Sequence, residues 1–210
     1  PALESARRVA RRAFGFDDSD LVVGFVGRLT ADKGIGYLVR AMELIRDRHP
    51  HSKLLIVGEI DEASPLQGHE TQVLSKPWVI RLPYVDDLPA AYQTMDVFCL
   101  PSIREGFPNA SLEAAASGVP VVTTFATGCR DSVIDGATGL LVPSHDPVAL
   151  SEALNQLLAS SALRRTMGER GRKWVTSQFD QSLVWESVAR WLTAQMRVSA
   201  RLATEEVQPD

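Results

Sequence analysis

Short apolar segments recur along the chain, and the residues between them often keep the spacing of a helix. Leu21–Gly27 is nearly all apolar and rich in β-branched residues, which is typical of a strand buried on both faces of a sheet. From Ile35 to Ile45 the apolar residues instead recur every three or four positions, and this spacing predicts a helix. Further strands are predicted at Lys53–Gly58, Trp78–Leu82, Val97–Leu100, Val119–Thr123 and Gly139–Val142.

Helices are predicted near 86–94, 108–117 and 146–159, and from 161 onward, whereas polar residues, Gly and Pro in 59–77 predict a long loop or a poorly formed helix. Strands that alternate with helices at this pitch predict an α/β fold, a Rossmann-like three-layer α/β/α domain with a mostly parallel sheet. Ligands of such folds bind outside the carboxyl ends of the strands. The loops that follow the predicted strands are therefore the places to look for a site.

The two ends of the chain differ from the alternating middle. The Arg-rich stretch Ala6–Arg12 predicts a helix, and we expect it to find no surface within this chain to pack against. Because the chain begins at Pro1, we interpret 1–18 as a helical linker left by a cut within a longer protein. Within one domain spanning 1–210, we assign 19–178 to the Rossmann-like core and 179–210 to a helical tail, expected to dock on this domain or on a missing one. The tail carries an apolar stripe of Val184, Trp185, Val188, Trp191, Leu192 and Met196.

Composition narrows the class of protein. The 210 residues are 45% hydrophobic and 23% charged, as in globular domains, and the net charge of −4 argues against a nucleic-acid partner. No apolar run approaches the roughly 18 residues of a transmembrane helix, and no secretory signal precedes the first strand. Cys99 and Cys129 lack zinc-site spacing. These features predict a soluble, cytoplasmic protein with two free structural thiols.

The loop after the first strand, Gly27–Gly34, carries two cations, Arg28 and Lys33, just before a helix. An arginine fork and a lysine point charge beside a helix N-terminus suit a diphosphate. Surface side chains paired with Asp32 are the alternative, and the loop alone does not decide between them. The dinucleotide-binding fingerprint is absent, because Val39 stands where Gly34-Ile35-Gly36 would require a third glycine. The P-loop pattern Gly-x4-Gly-Lys-Ser/Thr does not occur either.

A second group of candidate residues follows the strand that ends at Leu100. Glu105 lies in the loop, Pro108 is placed early in the next helix, and Glu113 projects from its second turn. Carboxylates accept hydrogen bonds from vicinal hydroxyls, and free amides at a helix start receive phosphate oxygens. The alternative is that Glu113 only faces solvent. Its apolar neighbours Leu112 and 114–116 argue against this and predict a buried carboxylate.

Four ordered motifs together resemble one known family. The motifs are Gly27-Arg28-x4-Lys33-Gly34, Glu105-x7-Glu113 with Gly106-Phe107 inside it, Ser117-Gly118-Val119-Pro120-Val121-Val122, and Asp135-Gly136-x2-Gly139-Leu140-Leu141-Val142-Pro143. Over roughly 20–175 the chain resembles the GT-B glycosyltransferases of the large retaining group called family 4 or group 1. The resemblance implies the C-terminal, donor-binding half of a GT-B fold, without the N-terminal acceptor-binding domain.

The resemblance also implies roles for single residues. Arg28 and Lys33 would contact the donor diphosphate, Glu105 the donor sugar and Glu113 the ribose, and Arg28, Lys33 and Glu105 form the expected catalytic set. Backbone groups around Pro83-Tyr84-Val85 would line the base, and the turn after Glu105 would supply amides. The expected donor-binding set is Gly27, Arg28, Lys33, Tyr84, Val85, Glu105, Gly106, Phe107, Pro108, Asn109 and Glu113.

No metal or other cofactor is expected. Asp86-Asp87 is not placed like a metal motif and is interpreted as the cap of the following helix. Two segments depart from the family pattern. Gly58-Glu59-Ile60-Asp61 replaces the usual Gly-x-Gly-Pro and puts the base contacts in doubt, and Thr127-Gly128-Cys129-Arg130 replaces the usual Gly-Gly, which makes Arg130 a candidate extra contact.

The expected function is that of a hexosyl- or other glycosyltransferase using a nucleotide-diphosphate-sugar donor, metal-independent and, by resemblance, anomer-retaining. The isolated half would be inactive, and the full-length enzyme could associate with a membrane through the missing domain. Three alternatives stay open: a UDP-sugar 2-epimerase, a non-catalytic nucleotide-sugar-binding module, and a glycoside hydrolase that would use Glu105 and Glu113.

Overall fold

The computed structural model describes residues 2–61, 66, 68–180, 182, 185–186, 188–193 and 195–196. The chain divides into two compact units, Pro1–Lys173 and Trp174–Asp210. In the second unit, Trp174 and Phe179 stack edge to face, with ring centroids 5.2 Å apart. The apolar stripe predicted for the tail is solvent-exposed where it is described, and Val184 lies outside the described residues. The division into linker, core and tail stays a prediction.

A six-stranded parallel sheet forms the centre of the first unit. The strands stand in the order β3-β2-β1-β4-β5-β6, and every neighbouring pair is parallel. The predicted α/β fold with a parallel sheet is therefore confirmed. The strands are β1 (Leu21–Val26), β2 (Ser52–Val57), β3 (Val79–Leu82), β4 (Val97–Leu100), β5 (Val121–Thr124) and β6 (Gly139–Val142).

Helices connect these strands, and right-handed crossovers set their positions. The chain moves outward from β1 in one direction and from β4 in the other, so the helices that follow these two strands cover opposite faces of the sheet, while the helix after β6 packs against the helix after β1. The helices are α1 (Ala2–Ala13), α2 (Ile35–Arg46), α3 (Gly68–Leu74), α4 (Leu88–Thr94), α5 (Asn109–Ala116), α6 (Pro147–Leu158) and α7 (Ser161–Gln178). Among the described residues, no helix is long and apolar enough to cross a membrane.

Hydrophobic burial explains why the strands were predictable. Val22, Val23 and Phe25 of β1 are fully buried, as are Leu54–Ile56 of β2. Strands covered on both faces bury every side chain, so their sequences are continuous apolar runs. Cys99 is buried within β4, both cysteines are free, and burial raises the pKa of the Cys99 thiol.

The structure refines two helical predictions. Within 59–77, which was expected to be a long loop or a poorly formed helix, the short helix α3 forms and buries Val73 and Leu74. The first residue of α5 is Asn109, and Pro108 stands at its N-cap rather than inside the helix. The expected capping role of Asp87 is confirmed, because its carboxylate accepts a hydrogen bond from the Ala90 amide at 2.9 Å.

The N-terminal helix also differs from the expectation. Helix α1 packs against α4, so it does have a surface within this chain. Arg7 donates to the backbone oxygens of Gln93 and Met95 at 2.9 and 2.8 Å, and Arg7 and Arg11 pair with Asp96 at 3.0 and 3.1 Å. The sequence did not reveal this docking because Asp96 lies more than 80 residues away along the chain.

The Asp96 carboxylate ties several elements together. Besides the two arginines of α1, it accepts the Val22 amide of β1 at 2.8 Å and lies 3.5 Å from Arg164 of α7. We expect Asp96→Ala to lower the free energy of unfolding by about 3 kcal/mol or more, because it leaves buried guanidinium groups without a counter-charge. Urea unfolding followed by circular dichroism measures this loss. Asp18→Ala, at an exposed neighbouring carboxylate, is the control, and equal effects of the two changes would contradict the assignment.

Candidate functional site

The loops after β1 and β4 meet at the carboxyl edge of the sheet, where the strand order reverses. Gly34, at the end of the β1 loop, has φ 73°, and a Cβ atom there would overlap the carbonyl oxygen of Pro101, just after β4. Glycine alone therefore permits this approach. The Ile103 amide also donates to the Asp32 carbonyl at 2.8 Å. These contacts hold the two loops in one fixed arrangement.

The loop after β5 packs against the same place. The Glu105 amide donates to the Thr127 carbonyl at 3.0 Å. Gly128 has φ 80°, and a side chain there would strike the backbone of Glu105. The segment that departs from the family pattern thus supports the loop that carries Glu105. Arg130 in this segment is largely exposed and lies 3.9 Å from Asp131, so its role as an extra contact stays a prediction.

Lys33 and Glu105 form a close ion pair at the junction of these loops. The Lys33 ammonium donates to both carboxylate oxygens of Glu105, at 2.6 and 2.7 Å. The buried Ser102 hydroxyl donates to the same carboxylate at 2.7 Å. The Glu105 side chain is 9% exposed and that of Lys33 is 20% exposed. Two of the predicted catalytic residues are therefore in direct contact, and Ser102 is a partner that the sequence analysis missed.

Arg28 stands at the open side of the β1 loop. Its side chain is 73% exposed and pairs with Asp61, from the loop after β2, at 2.8 Å. Asp32 instead accepts a hydrogen bond from the Thr30 hydroxyl. That bond, with smaller help from the charges of Lys33 and Arg28, holds the pKa of Asp32 below its usual range. The alternative in which Asp32 pairs with both cations is wrong, because Asp61 and Glu105 are their partners.

Glu113 lies on α5 and faces outward. It is exposed, although its neighbours Leu112 and Ala114 are buried, because successive residues of a helix point about 100° apart. The expectation of a buried carboxylate is therefore wrong. The hydroxyl of the buried Tyr92 donates to Glu113 at 2.8 Å, and burial, followed by the nearby Glu113 charge, raises the pKa of Tyr92. Tyr92 belongs to α4, so local sequence could not pair it with Glu113.

The remaining predicted donor residues lie around the same edge. Gly27 directly follows β1 and donates its amide to Val57 at 2.9 Å. Tyr84 is 73% exposed and Phe107 is 59% exposed, while Pro108 is buried. Val85 is half-buried, and Gly106 and Asn109 are exposed. Thus Lys33 and Glu105 touch each other, whereas Arg28 and Glu113 each bind a different partner.

Comparison with known proteins assigns the family. The family model of the glycosyl transferases group 1 matches residues 6–174. The chain belongs to this family. The capsular polysaccharide biosynthesis glycosyltransferase CapM of Staphylococcus aureus is 36% identical over 172 residues, which are 81% of this chain and 45% of CapM. The chain spans about half the length of the curated relatives that it matches.

Solved structures agree with the observed fold. Sucrose-phosphate synthase from Thermosynechococcus elongatus is 31% identical, with a TM-score of 0.77 over 89% of this chain and 49% of that protein. Anabaena HepE, solved in complex with UDP-glucose, is 22% identical, with a TM-score of 0.82 over 90% of this chain and 53% of that protein. The likeness to HepE concerns the fold alone. The resemblance to group 1 glycosyltransferases is therefore confirmed.

The family assignment gives the loop junction a chemical meaning. Curated relatives of this chain are named as glycosyltransferases, and two of the four motifs that suggested the family contribute Lys33 and Glu105, the pair at the loop junction. Among the described residues, no group of three or more His, Cys, Asp or Glu is arranged to hold a metal ion. The roles of individual site residues stay predictions that binding experiments can test.

The close contact at Gly34 yields a prediction about stability. Gly15 also has a left-handed φ, 79°, but a Cβ atom there would meet nothing within 4 Å. We expect Gly15→Ala to cost about 1 kcal/mol of unfolding free energy through backbone strain alone. Gly34→Ala should cost a further 1–3 kcal/mol, roughly, because it also pushes the β1 loop off Pro101. Urea denaturation of the two variants measures the difference, and similar losses would refute the loop contact.

Proposed function

We propose that this chain is the donor-binding half of a glycosyltransferase and that Arg28 and Lys33 bind the diphosphate of a nucleotide-sugar donor. The observation that carries the proposal is the Lys33–Glu105 pair, held where the strand order reverses. Ligands of open parallel sheets bind at this point. The acceptor-binding domain would be supplied by protein outside this chain, and the isolated half would transfer little sugar.

The pair has bonding capacity left for a donor. An ammonium group carries three N–H donors, and Lys33 spends two on Glu105, so the third can reach a phosphate oxygen. A carboxylate offers about four acceptor positions, of which Lys33 and Ser102 occupy three. The fourth can accept one sugar hydroxyl. Glu105 therefore suits a position between the diphosphate and the donor sugar.

The charges also suit the chemistry of transfer. Breaking the glycosyl–phosphate bond leaves negative charge on the departing diphosphate, and fixed cations stabilise that charge as it develops. Arg28 and Lys33 would supply this stabilisation without a metal ion. Glu113, held by Tyr92, would accept hydrogen bonds from the ribose hydroxyls, and Tyr84 and Val85 would lie at the base. Retention of the anomeric configuration belongs to the proposal through the family resemblance.

The geometry disfavours a glycoside hydrolase. Such an enzyme needs two carboxyl groups that reach the glycosidic bond, whereas the Glu105 side chain is only 9% exposed and its carboxylate is already bound by Lys33 and Ser102. The family assignment favours transfer over epimerisation. Product analysis with full-length protein separates the outcomes: an elongated acceptor supports transfer, whereas an epimerised donor or unchanged reactants would refute it. Cytoplasmic location and membrane association through another domain stay predictions.

Donor binding can be measured directly on this chain. Calorimetric titration with UDP, GDP, ADP and UMP should show a preference for one diphosphate over the monophosphate, and chelator should leave it unchanged. Arg28→Ala, Lys33→Ala and Glu113→Ala should each weaken binding about tenfold or more, because each removes a charge-assisted hydrogen bond.

The matched control is Arg48→Ala, which removes an exposed arginine beyond the last turn of α2. It should leave affinity unchanged. Equal affinity for UMP and UDP, or losses no larger than that of the control, would refute the diphosphate assignment.

The Arg28–Asp61 pair predicts a gain of affinity. Because Asp61 pairs with Arg28, it would compete with a donor phosphate for the Arg28 guanidinium. Asp61→Asn removes that charge but keeps the size of the side chain, so diphosphate affinity should rise roughly two- to fivefold, as expected for an exposed ion pair. In an Arg28→Ala background the same change should have little effect on diphosphate affinity. Calorimetry of the parent, the two single variants and the double variant completes this double-mutant cycle. An unchanged affinity in the parent background would show that the pair does not restrain Arg28.

A further inference from the structure

Five arginines gather at the amino edge of the sheet, at the opposite ends of the strands from the proposed donor site. Three of them, Arg7, Arg11 and Arg164, lie beside the carboxylate of Asp96, which directly precedes β4. Helix α1 brings three of them and the first turn of α7 brings two. We call these residues the arginine cluster: Arg7, Arg8, Arg11, Arg164 and Arg165.

The cluster contains more positive than negative charge. Arg7, Arg11 and Arg164 all lie within 3.5 Å of one carboxylate, that of Asp96. The other buried carboxylate nearby, Asp20, is already paired with Lys53 at 2.9 Å. Burial, together with the charges of Arg11 and Arg164, lowers the pKa of Arg7 against the opposing effect of Asp96. One carboxylate therefore does not balance the guanidinium groups around it.

A buried donor in the cluster also lacks an acceptor. The Arg11 side chain is 6% exposed, and its Nη2 group donates to Asp96 and to the Asp20 carbonyl. Its Nε atom is buried without a hydrogen-bond partner among the described residues. An unsatisfied buried donor is destabilising, and a charged donor is more so. A bound anion beside the cluster would offset its surplus positive charge.

The surface beside these groups has room for a ligand. A cavity of about 350 Å³ is lined by Arg7, Arg8, Arg11 and Asp18. A second cavity of about 430 Å³ shares Arg7 and includes Arg164 and Arg165. Arg8 and Arg165 are exposed, and no carboxylate of the described residues lies within ion-pair distance of either one. Their guanidinium groups are therefore available to a ligand from solvent.

We propose that the arginine cluster binds a phosphate group, at a site separate from the donor-binding loops. Guanidinium forks match the geometry of phosphate oxygens and bind them through paired hydrogen bonds. Asp96 would hold Arg7, Arg11 and Arg164 in place, while Arg8 and Arg165 would contact the ligand from the solvent side. The phosphate belongs either to a soluble phosphorylated molecule or to the headgroup of an anionic phospholipid. This inference does not depend on the proposed transfer reaction.

Inorganic phosphate titrated into the ¹⁵N-labelled chain tests the site by NMR at constant ionic strength. We expect saturable shifts of the α1 and early α7 amides and of the Arg11 Nε–H signal. Arg8→Ala combined with Arg165→Ala should weaken this binding at least tenfold, and because neither side chain touches Asp96 the fold should survive. Arg40→Ala combined with Arg48→Ala removes the same charge from exposed positions outside the cluster and should change nothing.

Sedimentation with phosphatidylcholine vesicles containing phosphatidylglycerol identifies the source of the phosphate. Co-sedimentation that the Arg8/Arg165 variant loses, and the control variant keeps, assigns a lipid headgroup. Saturable phosphate shifts without co-sedimentation assign a soluble ligand. The proposal is overturned if phosphate produces no saturable shift at the cluster, or if the Arg8/Arg165 variant binds phosphate as tightly as the parent chain.

Discussion

The approach of the Gly34 backbone to the Pro101 carbonyl is the constraint on which the candidate site depends. Parallel strands force both loops to leave the sheet at the same edge, and the reversal of strand order between β1 and β4 sends their helices to opposite faces. A crevice opens there by topology alone. Because Gly34 has no side chain, the loops can close on each other and bring Lys33 to Glu105.

The charged residues of the candidate site each bind a polar partner within the chain. Lys33 is bonded to Glu105 and Arg28 to Asp61, and Glu113 is bonded to Tyr92. Pairing lowers the cost of holding charged groups in a partly buried place. It also orients each group before a ligand arrives, so less conformational entropy remains to be lost on binding. The proposed binding of an anionic, hydroxyl-bearing donor would therefore need little ordering of these side chains.

The two edges of the sheet handle charge differently. At the carboxyl edge Lys33 and Arg28 each pair with a different carboxylate, whereas at the amino edge Asp96 serves Arg7, Arg11 and Arg164 together. Asp96 also binds the Val22 amide, so the same carboxylate joins two helices to a central strand. This carboxylate provides the counter-charge for the buried Arg11 and the partly buried Arg7 and Arg164. It does not account for the unpaired Arg11 Nε atom or for the exposed Arg8 and Arg165, which is why a ligand is inferred there.

Local sequence determined the six strands, most of the helices and the residue types of the candidate site. Buried parallel strands are continuous apolar runs and are therefore visible in the sequence. Glutamates and cations just after predicted strand ends indicate a candidate binding site. Tertiary structure alone decided the partners. Lys33 and Glu105 are 72 positions apart, Tyr92 and Glu113 are 21 apart, and Arg11 and Asp96 are 85 apart. Periodicity describes which face a side chain occupies but not what another element brings opposite it, so docking of α1, the exposure of Glu113 and the role of Ser102 emerged only from packing in three dimensions.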